Sequence, residues 1–249
     1  MSFILGVDTG GTYTDAVILE GEKRVVSFSK ALTTRSDLSL GIASAIEKAV
    51  EQENIDPEKI SLVSLSTTLA TNALVEGQGD RVALVMIGFK DSDLEKHSIF
   101  DALNGDPFLV ADGGHNYAGF EKNPLDKNKL ANWVSAVKGV SAYAICSQFA
   151  VRNPEHELEA AEIIRRLTNK PVSLSHQLSA KLNGPKRALT AILNARLIAL
   201  IDLLIIKAEH VIKSLGILAP LMVVRGDGAL ISAEQAREKP IETILSGPA

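Results

Sequence analysis

The sequence predicts an α/β fold in which sheets are covered by helices, and three observations predict it. Of the 249 residues, 46% are apolar but only 4% are aromatic. The apolar mass is therefore Ala, Val, Ile and Leu, the mixture of helices packed on a sheet buried from both faces. Short apolar runs alternate with amphipathic stretches along most of the chain. The first thirty residues instead read as strands joined by glycine turns, the pattern of an antiparallel meander.

Taken in order, the meander is strand Phe3–Asp8, a glycine turn, strand Ala16–Glu20, a turn at Glu20-Gly21 and strand Lys23–Lys30. A helix follows over Leu38–Glu53, because Leu38, Ile42, Ala45, Ile46 and Ala49 share one face and Ser36 or Asp37 can cap it. Strand Ser61–Leu65, a short helix over Leu69–Glu76 and strand Arg81–Ile87 come next. From Lys90 to Asn123 the periodicity is weak and Gly, Asp and Asn are frequent, which reads as an irregular excursion of loops and short elements. Alternation resumes with helix Asp126–Lys138, strand Ala142–Ser147, an Asn153 cap, helix Pro154–Leu167 and strand Val172–Ser175. A long helix from about Pro185 to Leu215 stops at Gly216, a C-terminal breaker. Strand Leu221–Val224, a turn at Arg225-Gly226-Asp227-Gly228 and strand Ala229–Ser232 complete the reading.

Composition excludes several classes. A net charge of −4 provides no basic field for nucleic acid or an anionic membrane. Met1-Ser2-Phe3-Ile4-Leu5 lacks the basic start and long apolar run of a signal peptide. The single cysteine, Cys146, forms no internal disulfide and fits a reducing cytoplasm. Ala188–Leu218 is strongly apolar, but Arg196, Asp202, Lys207, Glu209 and Lys213 interrupt it at near-helical spacing. It reads as a long buried helix, not a membrane span.

The chemistry concentrates in Asp8-Thr9-Gly10-Gly11-Thr12-Tyr13-Thr14-Asp15. A glycine turn between strands exposes backbone N–H groups, and concave sets of them bind phosphate. Thr12 and Thr14 add hydroxyl donors, and Asp8, ending a buried strand, can hold Mg²⁺ through water. Leu221–Val224 with Gly226-Asp227-Gly228 echoes this strand and turn, which suggests two halves facing one ligand. No Gly-x-x-x-x-Gly-Lys-Ser/Thr loop, no Gly-x-Gly-x-x-Gly joining a strand to a helix and no zinc-spaced His/Cys cluster is present. His156 and His210 fall in helices and read as structural; Asp112-Gly113-Gly114-His115-Asn116 reads as a polar turn or a metal-binding loop.

Gly6–Asp15 resembles the first phosphate motif of the hydantoinase/5-oxoprolinase family, and Thr67-Thr68-Leu69-Ala70-Thr71-Asn72-Ala73-Leu74 resembles its second hallmark. Asn153-Pro154-Glu155-His156-Glu157 and Ser175-His176 match further landmarks. Gly226–Ser232 and Leu245-Ser246-Gly247-Pro248-Ala249 resemble its second phosphate region. The resemblance implies a ribonuclease H-like, actin-like ATPase fold with a mixed sheet flanked by helices. It divides the chain into a first half over 1–180 and an incomplete second half over 181–249.

It also implies ATP and Mg²⁺ as cofactors and a cyclic amide, a hydantoin or 5-oxoproline, as substrate. Asp8 and Asp227 would organise Mg²⁺ from facing halves, and Gly10, Gly11, Gly226 and Gly228 would cradle phosphate. Thr9, Thr12, Thr14, Ser246 and Gly247 would complete the nucleotide contacts, with Asp15 ordering the hairpin or a water. Thr67, Thr68 and Asn72 would meet substrate or the γ-phosphate. Leu65-Ser66 stands where the family carries His-Gly, and Ala229 where it carries a second glycine. Ending at Ala249, the chain is expected to lack its adenine-gripping half and to act with that half and with a second subunit. A small-molecule kinase, an acetone-carboxylase-like enzyme or a non-catalytic nucleotide-binding module are the alternatives on the same fold.

Overall fold

The computed structural model describes residues 2–21, 23–34, 37–77, 79–95 and 98–244. Two compact units emerge, residues 1–78 with 200–249 (unit 1) and residues 79–199 (unit 2). This division differs from the expected boundary at 180, because the long helix begins in one unit and ends in the other.

Unit 1 is built on strands β1 (Phe3–Thr9), β2 (Tyr13–Glu20) and β3 (Arg24–Leu32), which form the antiparallel meander. On the other side of β1 lie β4 (Ile60–Thr67) and β9 (Leu221–Val224), both parallel to it, and then β10 (Leu230–Ser232), antiparallel to β9. The order β10-β9-β4-β1-β2-β3 is a mixed sheet of ribonuclease H-like topology. Helix α1 (Leu38–Gln52) starts at Asp37, whose carboxylate accepts the Ser39 N–H at 3.2 Å; Ser36, the other expected cap, lies outside the described residues. Its apolar stripe Leu38, Ile42, Ala45, Ile46 and Ala49 is buried, as its spacing predicts. Each fully buried Ile contributes about 1.5–3 kcal/mol. Ser27 and Ser29 of β3 donate to the Ala49 and Ala45 carbonyls of α1, fixing which sheet face the helix covers. Helix α2 (Leu69–Val75) follows β4 directly.

Unit 2 is a parallel sheet in the order β6-β5-β7-β8, made of β5 (Val82–Ile87), β6 (Phe108–Ala111), β7 (Ala142–Ser147) and β8 (Val172–Leu174). β5 and β7 are buried at every residue, which requires apolar cover on both faces. One face packs on α4 (Lys127–Ala136) and α5 (Glu155–Thr168), through Leu130, Val134, Ala160 and Ile164. The other packs on α3 (Ile99–Leu103) and the first turns of α7 (Gly184–Ser214), through Ile99, Leu103, Ala188, Ile192 and Ala195. The short helices α6 (Ser175–Leu178) and α8 (Ala233–Glu238) have no counterpart in the sequence reading.

Two expectations gain their detail here. One of the short elements within the excursion over Lys90–Asn123 is β6, which pairs with β5 from Leu84↔Phe108 to Ile87↔Ala111. Four residues are too few for a periodic signal, and pairing alone makes them a strand. Helix α7 is long and apolar enough to cross a membrane by length and composition. Four of the charges that interrupt it, however, are bound within the protein. Arg196 donates to Asp106 at 2.7 Å and to the Ala102 carbonyl, Asp202 and Glu209 accept from Arg237, and Lys207 pairs with Asp37.

Candidate functional site

The glycine turn joins β1 to β2, and its register sets everything around it. Asp8 stands opposite Asp15 on β2 and Ser66 on β4, while Thr9 stands opposite Thr14 and Thr67. Side chains alternate across a strand, so these two rows face opposite ways. Thr9, Thr14 and Thr67 are fully buried. Asp8, Asp15 and Ser66 are half-buried on the other face.

The Asp row is a line of polar groups across four strands. Ser66 Oγ donates to Asp8 Oδ1 at 2.5 Å. On β3, Lys30, opposite Asp15, holds that carboxylate at 3.0 Å and lies 5.0 Å above the Tyr13 ring. Two carboxylates directly opposite each other repel, and here a hydroxyl and an ammonium flank them. The pair fits a hard divalent cation that keeps most of its waters, as Mg²⁺ does. No group of three His, Cys, Asp or Glu side chains able to cage a metal exists among the described residues.

The threonine row does other work. Thr14 is not a donor at the turn, because its hydroxyl is bonded to Thr33 Oγ1 at 2.9 Å on the buried face. Thr67 Oγ1 donates to the Thr9 carbonyl at 2.9 Å and accepts the Leu69 N–H at 3.0 Å, tying α2 to the end of β1. Thr9 Oγ1 has no hydrogen-bond partner. Thr12 is exposed, and Thr68 and Asn72 are half-buried at the start of α2. The Gly10 N–H is spent on the Tyr13 carbonyl at 2.9 Å, closing the turn. A Cβ at Gly10 would approach that oxygen to 3.2 Å, so the tight turn favours glycine there.

The second turn does not face the first from another half. Val7 and Val223 both stand opposite Leu65, so β1 and β9 lie on either side of β4, about 10 Å apart. Both strands run parallel, so both turns sit at one edge of one sheet. In this turn the Gly226 N–H donates to the Glu242 carbonyl at 2.8 Å and the Gly228 N–H to the Arg225 carbonyl at 2.9 Å, so neither is open to phosphate. Asp227 is paired with Arg225 and accepts the Ala229 N–H at 3.1 Å. The Arg225 hydrogen bond, then the Ala229 N–H, hold its carboxyl down at about 2. Ser246 and Gly247 lie outside the described residues.

With this geometry in hand, the chain can be set beside known proteins. A model described as "Hydantoinase/oxoprolinase N-terminal region" matches residues 4–168, and a second, "Hydantoinase/oxoprolinase", matches residues 187–249. The chain belongs to the hydantoinase/oxoprolinase family. The caprolactamase subunit alpha of Pseudomonas jessenii is 28% identical, over 98% of this chain and 38% of that one. The acetophenone carboxylase gamma subunit of Aromatoleum aromaticum is 28% identical, over 78% of this chain and 31% of that one. The 5-oxoprolinase of Dictyostelium discoideum is 26% identical, over 100% of this chain and 23% of that one. The crystal structure of ATP-dependent caprolactamase superposes with a TM-score of 0.84 at 25% identity, covering 98% of this chain and 38% of the other. Nucleotide-free acetone carboxylase shares the fold, with a TM-score of 0.78 at 20% identity over 98% of this chain and 39% of the other. The chain thus spans less than two fifths of the length of each of these proteins.

The sequence reading missed three partners of family landmarks. Ser66 and Lys30 complete the Asp row, and only strand register reveals them. In unit 2, Glu157 is fully buried and accepts four hydrogen bonds. Two reach Oε1, from the Ser147 N–H at 2.8 Å and Ser175 Oγ at 2.6 Å; two reach Oε2, from the His176 N–H at 3.1 Å and His176 Nδ1 at 2.6 Å. Arg187, 1% exposed, joins the cluster through Ser175 Oγ at 3.2 Å and the Ser147 carbonyl at 2.8 Å. The Asn153–Glu157 and Ser175-His176 motifs mark this cluster in the sequence, but their contact is purely tertiary.

Proposed function

We propose that this chain supplies the phosphate-binding part of an ATP-dependent cyclic amide hydrolase acting on a hydantoin or 5-oxoproline type ring. The amide oxygen would attack the γ-phosphorus and displace ADP; water would then add to the activated carbon, the ring nitrogen would leave as the amine, and a second water would release phosphate from the resulting acyl phosphate. The observation that carries this reading is the pair of carboxylates Asp8 and Asp15, side by side at the closed glycine turn between Ser66 and Lys30. Its family membership supports it, as does the relative described as an ATP-dependent caprolactamase.

Asp8 and Asp15 would hold the magnesium ion, which supplies charge neutralisation of the phosphates when bound. Ser66 holds the Asp8 carboxylate in one orientation, and Lys30 offsets the second negative charge. Thr12 would present its hydroxyl to phosphate, and Thr68 and Asn72 would line the approach of the ring. The positioning and electrostatics needed for phosphoryl transfer rest on such fixed groups. Two relatives are named as subunits, which supports work with a further segment and a second subunit. A cytoplasmic setting agrees with the buried free thiol of Cys146.

The experiment has two arms. Calorimetry with Mg·ATP on this chain is expected to show binding that Asp8→Asn weakens at least tenfold and Asp227→Asn leaves unchanged; the reverse ranking would overturn the site. Phosphate release by the natural protein with its partner subunit is expected to rise with hydantoin or 5-oxoproline. No stimulation by either ring sinks the amidase reading. A carboxylase reading is favoured by the acetophenone carboxylase relative, and ATP turnover that requires bicarbonate would select it.

A further inference from the structure

Strand β3 ends the unit 1 sheet, so one of its edges has no neighbouring strand among the described residues. The antiparallel register tells which backbone groups point outward there. The Thr33 N–H donates to the Thr12 carbonyl at 2.9 Å, so residue 33 faces β2, and alternation turns Leu32, Lys30 and Phe28 outward. The one irregularity of this pairing lies beyond Phe28, between Ile18 and Leu19, and leaves that alternation intact. No described group outside the ladder bonds the N–H or C=O of Phe28 or Lys30. An edge of this kind is a template for another strand.

A groove of about 410 Å³ follows this edge. It takes Tyr13, Lys30 and Leu32 from one sheet face and Leu40, Ser44 and Lys48 from α1, which covers the opposite face. A groove lined from both faces passes around the end of the sheet, alongside β3. Leu32 and Leu40 in it are 67% and 58% exposed, and Phe28, two residues from Lys30 on the same face, is 70% exposed. Single exposed apolar side chains are ordinary, but these three flank one unpaired edge, which marks a contact surface.

Charge selects the occupant. The groove is lined by two ammonium groups, those of Lys30 and Lys48, and by no carboxylate. Lys30 reaches Asp15 at 3.0 Å, yet its side chain stays 58% exposed. Ser29 and Ser27 donate to the Ala45 and Ala49 carbonyls of α1, which sets Lys48 level with residues 27–29 of β3. A second copy of the chain would bring the same lysines to the same edge, and like charges across paired strands are unfavourable. An acidic strand complements both lysines.

We propose that β3 is the docking edge for an extended acidic segment of a partner polypeptide, added as a further antiparallel strand. One carboxylate of the segment faces Lys30, between apolar residues that cover Phe28 and Leu32; a second, one residue on, faces Lys48. The proposal requires nothing of nucleotide or ring binding, so its failure leaves that reading untouched. The peptide acetyl-Thr-Val-Thr-Glu-Glu-Val-Thr-amide, titrated into the ¹⁵N-labelled chain, tests it. Saturable shifts and slower hydrogen exchange are expected at the Phe28 and Lys30 amides. N-methylation of both Val residues and the first Glu removes the N–H groups that face β3 and should weaken binding at least tenfold. N-methylation of the third and fifth residues, whose N–H groups point away, should leave binding nearly unchanged. Exchanging the second Glu for Lys should weaken binding about threefold, and Lys48→Glu should restore it for that peptide. Equal affinity of the two methylated peptides overturns the assignment, as does a charge exchange without effect. So does a concentration-dependent dimer of the chain that protects the same amides, which would make a second copy the occupant.

Discussion

Replacing Glu157 by Gln removes one charge and almost no volume, so its effect isolates the polar cluster of unit 2. The carboxylate receives two donors on each oxygen. An amide keeps one accepting oxygen and turns an NH₂ group toward the other two donors. If that group faces His176, the imidazole can change tautomer so that Nδ1 accepts, but the His176 backbone N–H is still stranded. If it faces Ser147, the stranded group is the Ser147 N–H. One or two orphaned buried donors cost about 1–3 kcal/mol each, and the buried Arg187, which shares Ser175 with Glu157, loses a charged member of its network. The expected loss is about 2–5 kcal/mol, a large part of the stability of an ordinary domain. Trp133 is the single tryptophan and lies on α4, against the core of unit 2, so urea unfolding followed by its fluorescence reads this unit. A loss below about 1 kcal/mol at unchanged m value refutes the reasoning. Combining the change with Arg187→Met should cost less than the sum of the two, since both side chains share Ser147 and Ser175.

Two further outcomes test local chemistry. Asp227 should titrate near 2, because Arg225 and the Ala229 N–H favour its ionised form. A depressed carboxyl stabilises the folded turn above the ordinary value of about 3.9, and that contribution is lost as pH falls through about 2. Carboxyl-carbon NMR reads the midpoint, and Arg225→Ala should return it toward 3.9. Cys146 is buried and its pKa is pushed up to about 12 by desolvation first. The thiolate is the reacting species, so a disulfide reagent at pH 8 should label it only after unfolding; rapid labelling of the native chain would contradict the burial.

The sequence by itself determined most elements, because their signals are local. The stripe of α1, the all-apolar runs of β5 and β7 and the stop of α7 at Gly216 are patterns of neighbours, and they lie within a few residues of where they were expected. The Asp8–Asp15 hairpin was equally legible, since a glycine turn between strands is a contiguous feature. What the sequence could not fix was pairing across distance. Only β5 makes β6 a strand, and only register sets Ser66 and Lys30 beside the two carboxylates. Alternation along β2 sends Thr14 to the buried face and leaves Asp15 opposite Asp8, a split that the motif as a string of letters conceals. The Gly226-Asp227-Gly228 echo is real as a pattern, but sheet order puts it at the same edge as the first turn, and Arg225 closes it. Local periodicity follows from the geometry of one strand or helix. Which groups meet at a site follows from hydrogen-bond register between segments up to 158 residues apart, and that is decided only when the sheet forms.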